Sequence, residues 1–278
     1  MQISLLLTQT SNTPKPMTKS GDEELMTFGG HLEVFRRMLL RIAAVSGALA
    51  VAVFCMKDAA WRVLLAPSER QFATYRWIEQ AAQAAGFDFH LETFNVDLIA
   101  TDLSSQFMTH ITTSVYLGLL GASPYIVYEL LRFISPALYE HERRYSLRVV
   151  TVVYVLFLIG VLMSYYVIFP ISFRFLGTYQ VAERIHSTIS LDSYISTFTT
   201  LTLLMGVVFQ LPVLAFFLGK MGIVTAEMLK QYRKHAFLVI MLVAAVITPP
   251  DLMTLLLVSV PLYLLYEVSI RVLKISGR

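Results

Sequence analysis

The chain has 278 residues, 56% of them apolar or aromatic and only 15% charged, with a net charge of +3 and a mean hydropathy of +0.64. Soluble domains run near roughly 45–50% apolar and about 25% charged. The composition therefore excludes a disordered chain, a disulfide scaffold and a water-soluble enzyme, and it points to a polytopic membrane protein. So small a charge, without a basic stripe, excludes nucleic acid as a partner. Cys55 is the single cysteine, so no internal disulfide can form. Its apolar neighbours predict a small buried hydrophobe.

Residues 1–27 read as a flexible N-terminal tail, and 28–278 as one membrane domain. The short run at Ile3–Leu7 lacks the basic flank and the length of a signal segment. The first span is Leu39–Met56, with Arg41 near its start placed to reach the interface. A long outer loop follows, about 57–106, with short interfacial helices expected around 59–85. Trp61, Tyr75 and Trp77 would anchor that loop at the headgroups. The second span, about Phe107–Phe133, begins rich in Thr and Ser, whose hydroxyls can bond back to the helix's own carbonyls. The third is Val149–Ile171, passing Pro170. The fourth is about Phe198–Leu218 and carries Gln210 and Pro212.

The last two runs, Ala236–Ile247 and Leu252–Tyr266, are short and are separated by Thr248-Pro249-Pro250-Asp251. Two adjacent prolines end a helix. A helix of ~14 residues rises about 21 Å, against a hydrocarbon core of ~30 Å. The pair either spans a thinned bilayer or forms a re-entrant hairpin. Six spans place both termini on one side. That side collects 16 of the 22 Lys and Arg residues, and the other holds Lys57, Arg62, Arg70, Arg76, Arg174 and Arg184. Basic residues mark the cytoplasmic face, so both termini are expected there.

No catalytic constellation is present. His141-Glu142 begins like a zinc-protease motif, but Tyr145 stands where the second His is needed. The six histidines lack metal-ligand spacing, and there is no phosphate-binding Gly-rich loop. Neither an enzyme nor a cofactor is implied. Two segments at the cytoplasmic side carry chemistry instead. One is His31-Leu32-Glu33-Val34-Phe35-Arg36-Arg37, leading into the first span. The other, Phe133–Arg144, sets carboxylates beside Leu138 and Tyr139. Carboxylates take guanidinium groups in a fork, so these segments suit an arginine-bearing peptide as well as a solvated loop. Gln210, deep in the fourth span, needs a partner. Glu129 and Glu267, near span ends, would reach headgroups or water.

The His-Leu-Glu lead-in, Ser123-Pro124-Tyr125-Ile126-Val127-Tyr128-Glu129, the segment Phe133–Arg144, and Ile247–Asp251 followed by Pro261 together resemble the TatC family, core subunits of the twin-arginine protein translocase. The resemblance covers about residues 28–270 in order. It implies an all-α, polytopic fold of six transmembrane helices in a concave bundle with the last two short. It also implies a receptor for the Arg-Arg signal peptides of folded proteins, transport driven by the proton-motive force, and residence in the bacterial inner membrane. The implied partners are the single-span subunits TatA and TatB, in homo- and hetero-oligomers.

Residue by residue, the resemblance assigns Glu142 to the signal's arginines, with Leu138, Tyr139 and Arg36 beside it and Glu33 as a second carboxylate. Gln210 and Pro212 would meet a partner helix. Two positions depart from the pattern. The family commonly has glutamate where Val34 stands, and Glu33 lies about 100° away around a helix. The family often has glutamate at Gln210, where an amide can hydrogen-bond but supplies no charge. The residues alone also allow a solute transporter or a membrane scaffold. A transporter would more often show repeated broken helices and a midplane ionisable site.

Overall fold

The computed structural model describes residues 28–86, 97–134, 146–180, 182 and 188–275. Helix α1 (Phe28–Cys55) runs the length of the bundle, and α4 (Ser105–Ile134) returns beside it. The third pass is α5 (Ser146–Met163), a π turn (Ser164–Ile168) and α6 (Phe169–Thr178). The fourth is α7 (Leu191–Val208) and α8 (Leu211–Lys220). After the short α9 (Ala226–Gln231) come α10 (Arg233–Ile247) and α11 (Leu252–Ile275). Among the described residues, five stretches are long and apolar enough to cross a membrane: Leu32–Cys55, Ser105–Phe133, Val149–Thr178, Leu191–Lys220 and Leu252–Ile275.

The last two helices are unequal. With 15 residues, α10 rises only about 22 Å, whereas the 24 residues of α11 rise about 36 Å. The expectation of two short last helices therefore holds for α10 and is corrected for α11, which is long and apolar enough to cross a membrane. The helix itself continues through Glu267, Arg271 and Lys274, residues that suit a headgroup layer. Between the two helices, the Thr248 hydroxyl donates to the Ala244 carbonyl. Asp251 caps α11 by accepting from the Thr254 amide at 2.6 Å.

Lipid-facing surfaces need apolar side chains, and they have them: Leu242, Val246, Leu252 and Val260 are all exposed. Between helices the surface is different. A Cβ on Gly118 would stand 2.6 Å from the Ala50 amide nitrogen, so α1 and α4 cross in close contact. Gly160 on α5 faces the Met205 carbonyl of α7, and Gly206 faces the Phe157 ring. Small residues let membrane helices approach until their backbones touch. The core then fills with Tyr116, Ile168, Phe169, Tyr194, Phe198, Leu201, Met205 and Leu262.

One end of the bundle is capped by α2 (Lys57–Leu65), a 3-10 turn (Ala66–Ser68) and α3 (Ala73–Ala84). Helix ends leave carbonyls without partners, and each of the last four in α2 finds one. The Ala66 amide donates to Arg62. The hydroxyls of Tyr165, Tyr194 and Ser68 donate to Val63, Leu64 and Leu65. Proline creates further vacancies. Pro170 has no N–H to give the Tyr166 carbonyl, and the Thr74 hydroxyl of α3 donates there instead. Pro124 likewise frees the Leu120 carbonyl, which takes the Ser123 hydroxyl at 2.6 Å.

Tyr75 does not sit at the headgroups as expected. It is buried, with its hydroxyl 3.0 Å from both the Pro67 and Pro170 carbonyls. Burial pushes its phenol far above the ordinary tyrosine range, against the opposing pull of Arg174 over its ring. Trp77 is the exposed aromatic of this cap. Cys55 is likewise exposed rather than buried.

Two of the Thr and Ser residues of α4 bond back as expected, Thr109 to the Ser105 carbonyl and Ser114 to that of His110, whereas the buried Thr113 hydroxyl has no partner among the described residues. Ser105 and Thr109 also hold the carboxylate of Asp192, in the first turn of α7, where the helix dipole favours negative charge. Beside this lock, β1 (Leu98–Ile99) and β2 (Ile189–Ser190) form a two-residue parallel bridge.

Candidate functional site

Away from the cap, the N-terminal end of α1 meets the C-terminal end of α4. The Phe35 and Phe133 rings lie 5.5 Å apart. This contact brings the lead-in segment and the last turn of α4 to one end of the bundle. Glu33 and Arg36 are exposed there. Glu33 pairs with Arg37, one turn on, at 2.5 Å, which leaves its carboxylate already engaged. Val34 is exposed. Leu138, Tyr139 and Glu142 lie outside the described residues.

Glu129 departs from its expected exposure. Its residue is only 5% exposed, buried between α1 and α4 rather than open at a span end. Its Oε1 accepts from the Tyr125 hydroxyl at 3.0 Å and from Arg41 at 3.5 Å. Arg41, expected at the interface, is half-exposed while making this pair. A buried carboxylate needs a counter-ion, and the sequence offered a signal in the lone arginine of the first span. At α10 and α11, Glu267 takes Arg233 at 2.8 Å and the Tyr263 hydroxyl at 3.4 Å. The Tyr266 hydroxyl donates to the Leu229 carbonyl of α9.

Gln210 marks the break between α7 and α8. Its Nε2 donates to the Val153 carbonyl of α5 at 3.1 Å and, more weakly, to Gly206 one turn back. The buried Oε1 has no partner within the described residues. Pro212 is buried within the chain. It shapes the break, and the exposed side chains beside it are Val207, Leu211 and Leu214. Asp192 was missed by sequence reading, since one carboxylate near a span end has no distinctive pattern. No group of three His, Cys, Asp or Glu suited to a metal occurs among the described residues.

A family model described as Sec-independent protein translocase protein (TatC) matches residues 30–261. A Sec-independent protein translocase protein TatC of Blattabacterium is 30% identical over 249 residues, covering 88% of this chain and 94% of its own. That of Halalkalibacterium halodurans is 41% identical over 180 residues, covering 64% and 69%. TatCy of Bacillus subtilis is 36% identical over 187 residues, covering 67% and 74%. The crystal structure of the twin arginine translocase receptor TatC superposes with a TM-score of 0.70 at 28% identity, covering 89% of this chain and all of that one. The matches favour a translocase subunit over a solute transporter, and they agree with a polytopic, integral membrane protein that works as part of a larger complex. The chain belongs to the TatC family of Sec-independent protein translocases.

Proposed function

We propose that this chain is the signal-peptide receptor of a twin-arginine translocase, with residues 28–278 as its translocase domain. It binds the Arg-Arg signal of an already folded protein at the cytoplasmic face of the bacterial inner membrane, where both termini lie. TatA and TatB join it for transport, which the proton-motive force drives. The observation that supports this reading best is the meeting of Phe35 and Phe133. It sets the lead-in segment against the end of α4, the point from which the chain continues into the second segment. In this reading Glu142 takes the signal's guanidinium groups, and Leu138, Tyr139, Arg36 and Glu33 flank it. A carboxylate accepts a guanidinium through two parallel bonds, but an ammonium only as a point charge.

The test is a photocrosslinking probe at Tyr139 in native membranes, challenged with a folded reporter. An Arg-Arg signal is expected to crosslink and a Lys-Lys signal is not. Equal yields from both would overturn the reading.

The partner's single span would dock on the α7–α8 face around Gln210. The Gln210→Leu substitution removes the bond to Val153 and the free acceptor together. Interhelical hydrogen bonds in membranes average ~0.6 kcal/mol, so crosslinking of a single-span subunit to Leu214 should fall about threefold. An unchanged yield from an inserted variant would remove this role.

A further inference from the structure

Glu129 is the one buried carboxylate on α1 and α4, and nothing above employs it. A signal with two arginines asks for more than one carboxylate. Among the described residues of α1 and α4, only Glu33 and Glu129 are acidic. Glu33 is open to water and held by Arg37, where ion pairs contribute little. Glu129 sits one turn inside Phe133, in a place where a charge-assisted bond is strong.

Its present occupant is poorly seated. Arg41 reaches it with one nitrogen, at 3.5 Å, whereas well-formed pairs of this kind lie at about 2.7–2.9 Å and usually fork. The two partners are also unequal: the Arg41 side chain is 51% exposed and that of Glu129 only 6%. Arg41 follows Glu33 and Arg37 at intervals of four, on one stripe of α1. It is thus the guanidinium nearest the buried end of that stripe.

We propose that Glu129 is a second arginine-binding carboxylate, and that Arg41 holds its place until a signal's arginine displaces it. The inference rests on the receptor reading given above. Exchanging one guanidinium for another never leaves the buried carboxylate unpaired. What changes is the geometry, from one long contact to a fork. Arg41, already half in solvent, turns outward along its flexible stem. Lysine cannot make the fork, so the exchange itself favours arginine.

The experiment titrates the Arg-Arg reporter against the Tyr139 probe in native membranes for four variants of the full chain. Glu129→Gln is expected to weaken apparent affinity about tenfold, and Arg41→Gln to tighten it several-fold. The double variant should bind as weakly as Glu129→Gln alone. Unchanged affinity in Glu129→Gln, weakened affinity in Arg41→Gln, or wild-type affinity in the double variant would each overturn the inference. Glu129→Gln and the double variant leave no unpaired buried carboxylate, so they remain informative if Arg41→Gln fails to insert. In that case Arg41→Lys replaces it, with the same direction expected. Glu142→Gln is the fourth variant. Loss there with no effect at Glu129 would sink this inference alone. Equal crosslinking of Arg-Arg and Lys-Lys reporters by the unaltered chain would sink the receptor reading itself.

Discussion

Gly118→Leu is expected to leave little folded protein in the membrane. A Cβ at this position would lie 2.6 Å from the Ala50 amide nitrogen and 2.7 Å from its Cα. Those are backbone atoms of the facing helix and cannot swing aside. The same seam carries the Phe35–Phe133 contact, the Arg41–Glu129 pair and the Phe54–His110 stack at 4.3 Å. Spreading α1 from α4 in the middle loosens all three. Overpacking commonly costs about 1–3 kcal/mol, and more where backbone must move, out of a total stability of about 5–15 kcal/mol. The check is size-exclusion profiles of detergent-solubilised protein. Gly121→Leu is the control, since a Cβ there meets only the Leu49 side chain at 3.6 Å. A normal monodisperse peak for Gly118→Leu would refute the close crossing.

Glu142→Gln is expected to abolish crosslinking of an Arg-Arg signal to Tyr139 while the protein stays folded. The carboxylate offers two acceptors and a full charge. The amide keeps one acceptor and turns an NH2 group toward the guanidinium, so one arm of the fork meets a donor. Hydrogen bonds to charged groups contribute about 1.5–3 kcal/mol each, which is roughly tenfold or more in affinity per bond lost. Glu142→Asp keeps the charge on a shorter stem and should retain part of the yield. Undiminished crosslinking by Glu142→Gln would remove this residue from the site.

The six apolar runs were legible because lipid demands long, apolar, internally bonded helices, and charged residues bracket them. The helix ends were not legible, because apolar runs mark the hydrocarbon and helices continue past it. In α11, Arg271 and Lys274 lie beyond the apolar run but within the helix. The cap was read as interfacial from its aromatics, yet Tyr75 is buried. Its two proline carbonyls come from Pro67 and Pro170, eight and ninety-five residues away, a pairing that local pattern cannot announce. Around the candidate site, the motifs named Glu33, Arg36 and Glu142, whereas Glu129 seemed a boundary residue. Its burial depends on a pairing across two helices 88 residues apart in sequence. Gln210 was read as needing a partner, and the Val153 carbonyl supplies one.

The π turn in the third pass has a consequence for how this chain tolerates changes of length. Gly160 and Ile168 are eight residues apart. In an unbroken α-helix they would point about 80° apart. The π turn, closed by the Phe169 amide on the Ser164 carbonyl, accommodates one residue more per turn. It takes back about 100°, one residue's worth of rotation. Gly160 thereby keeps its place against Met205, and Ile168 keeps its place in the core. Such a turn is what a single inserted codon leaves when both halves of a helix already have neighbours they cannot exchange.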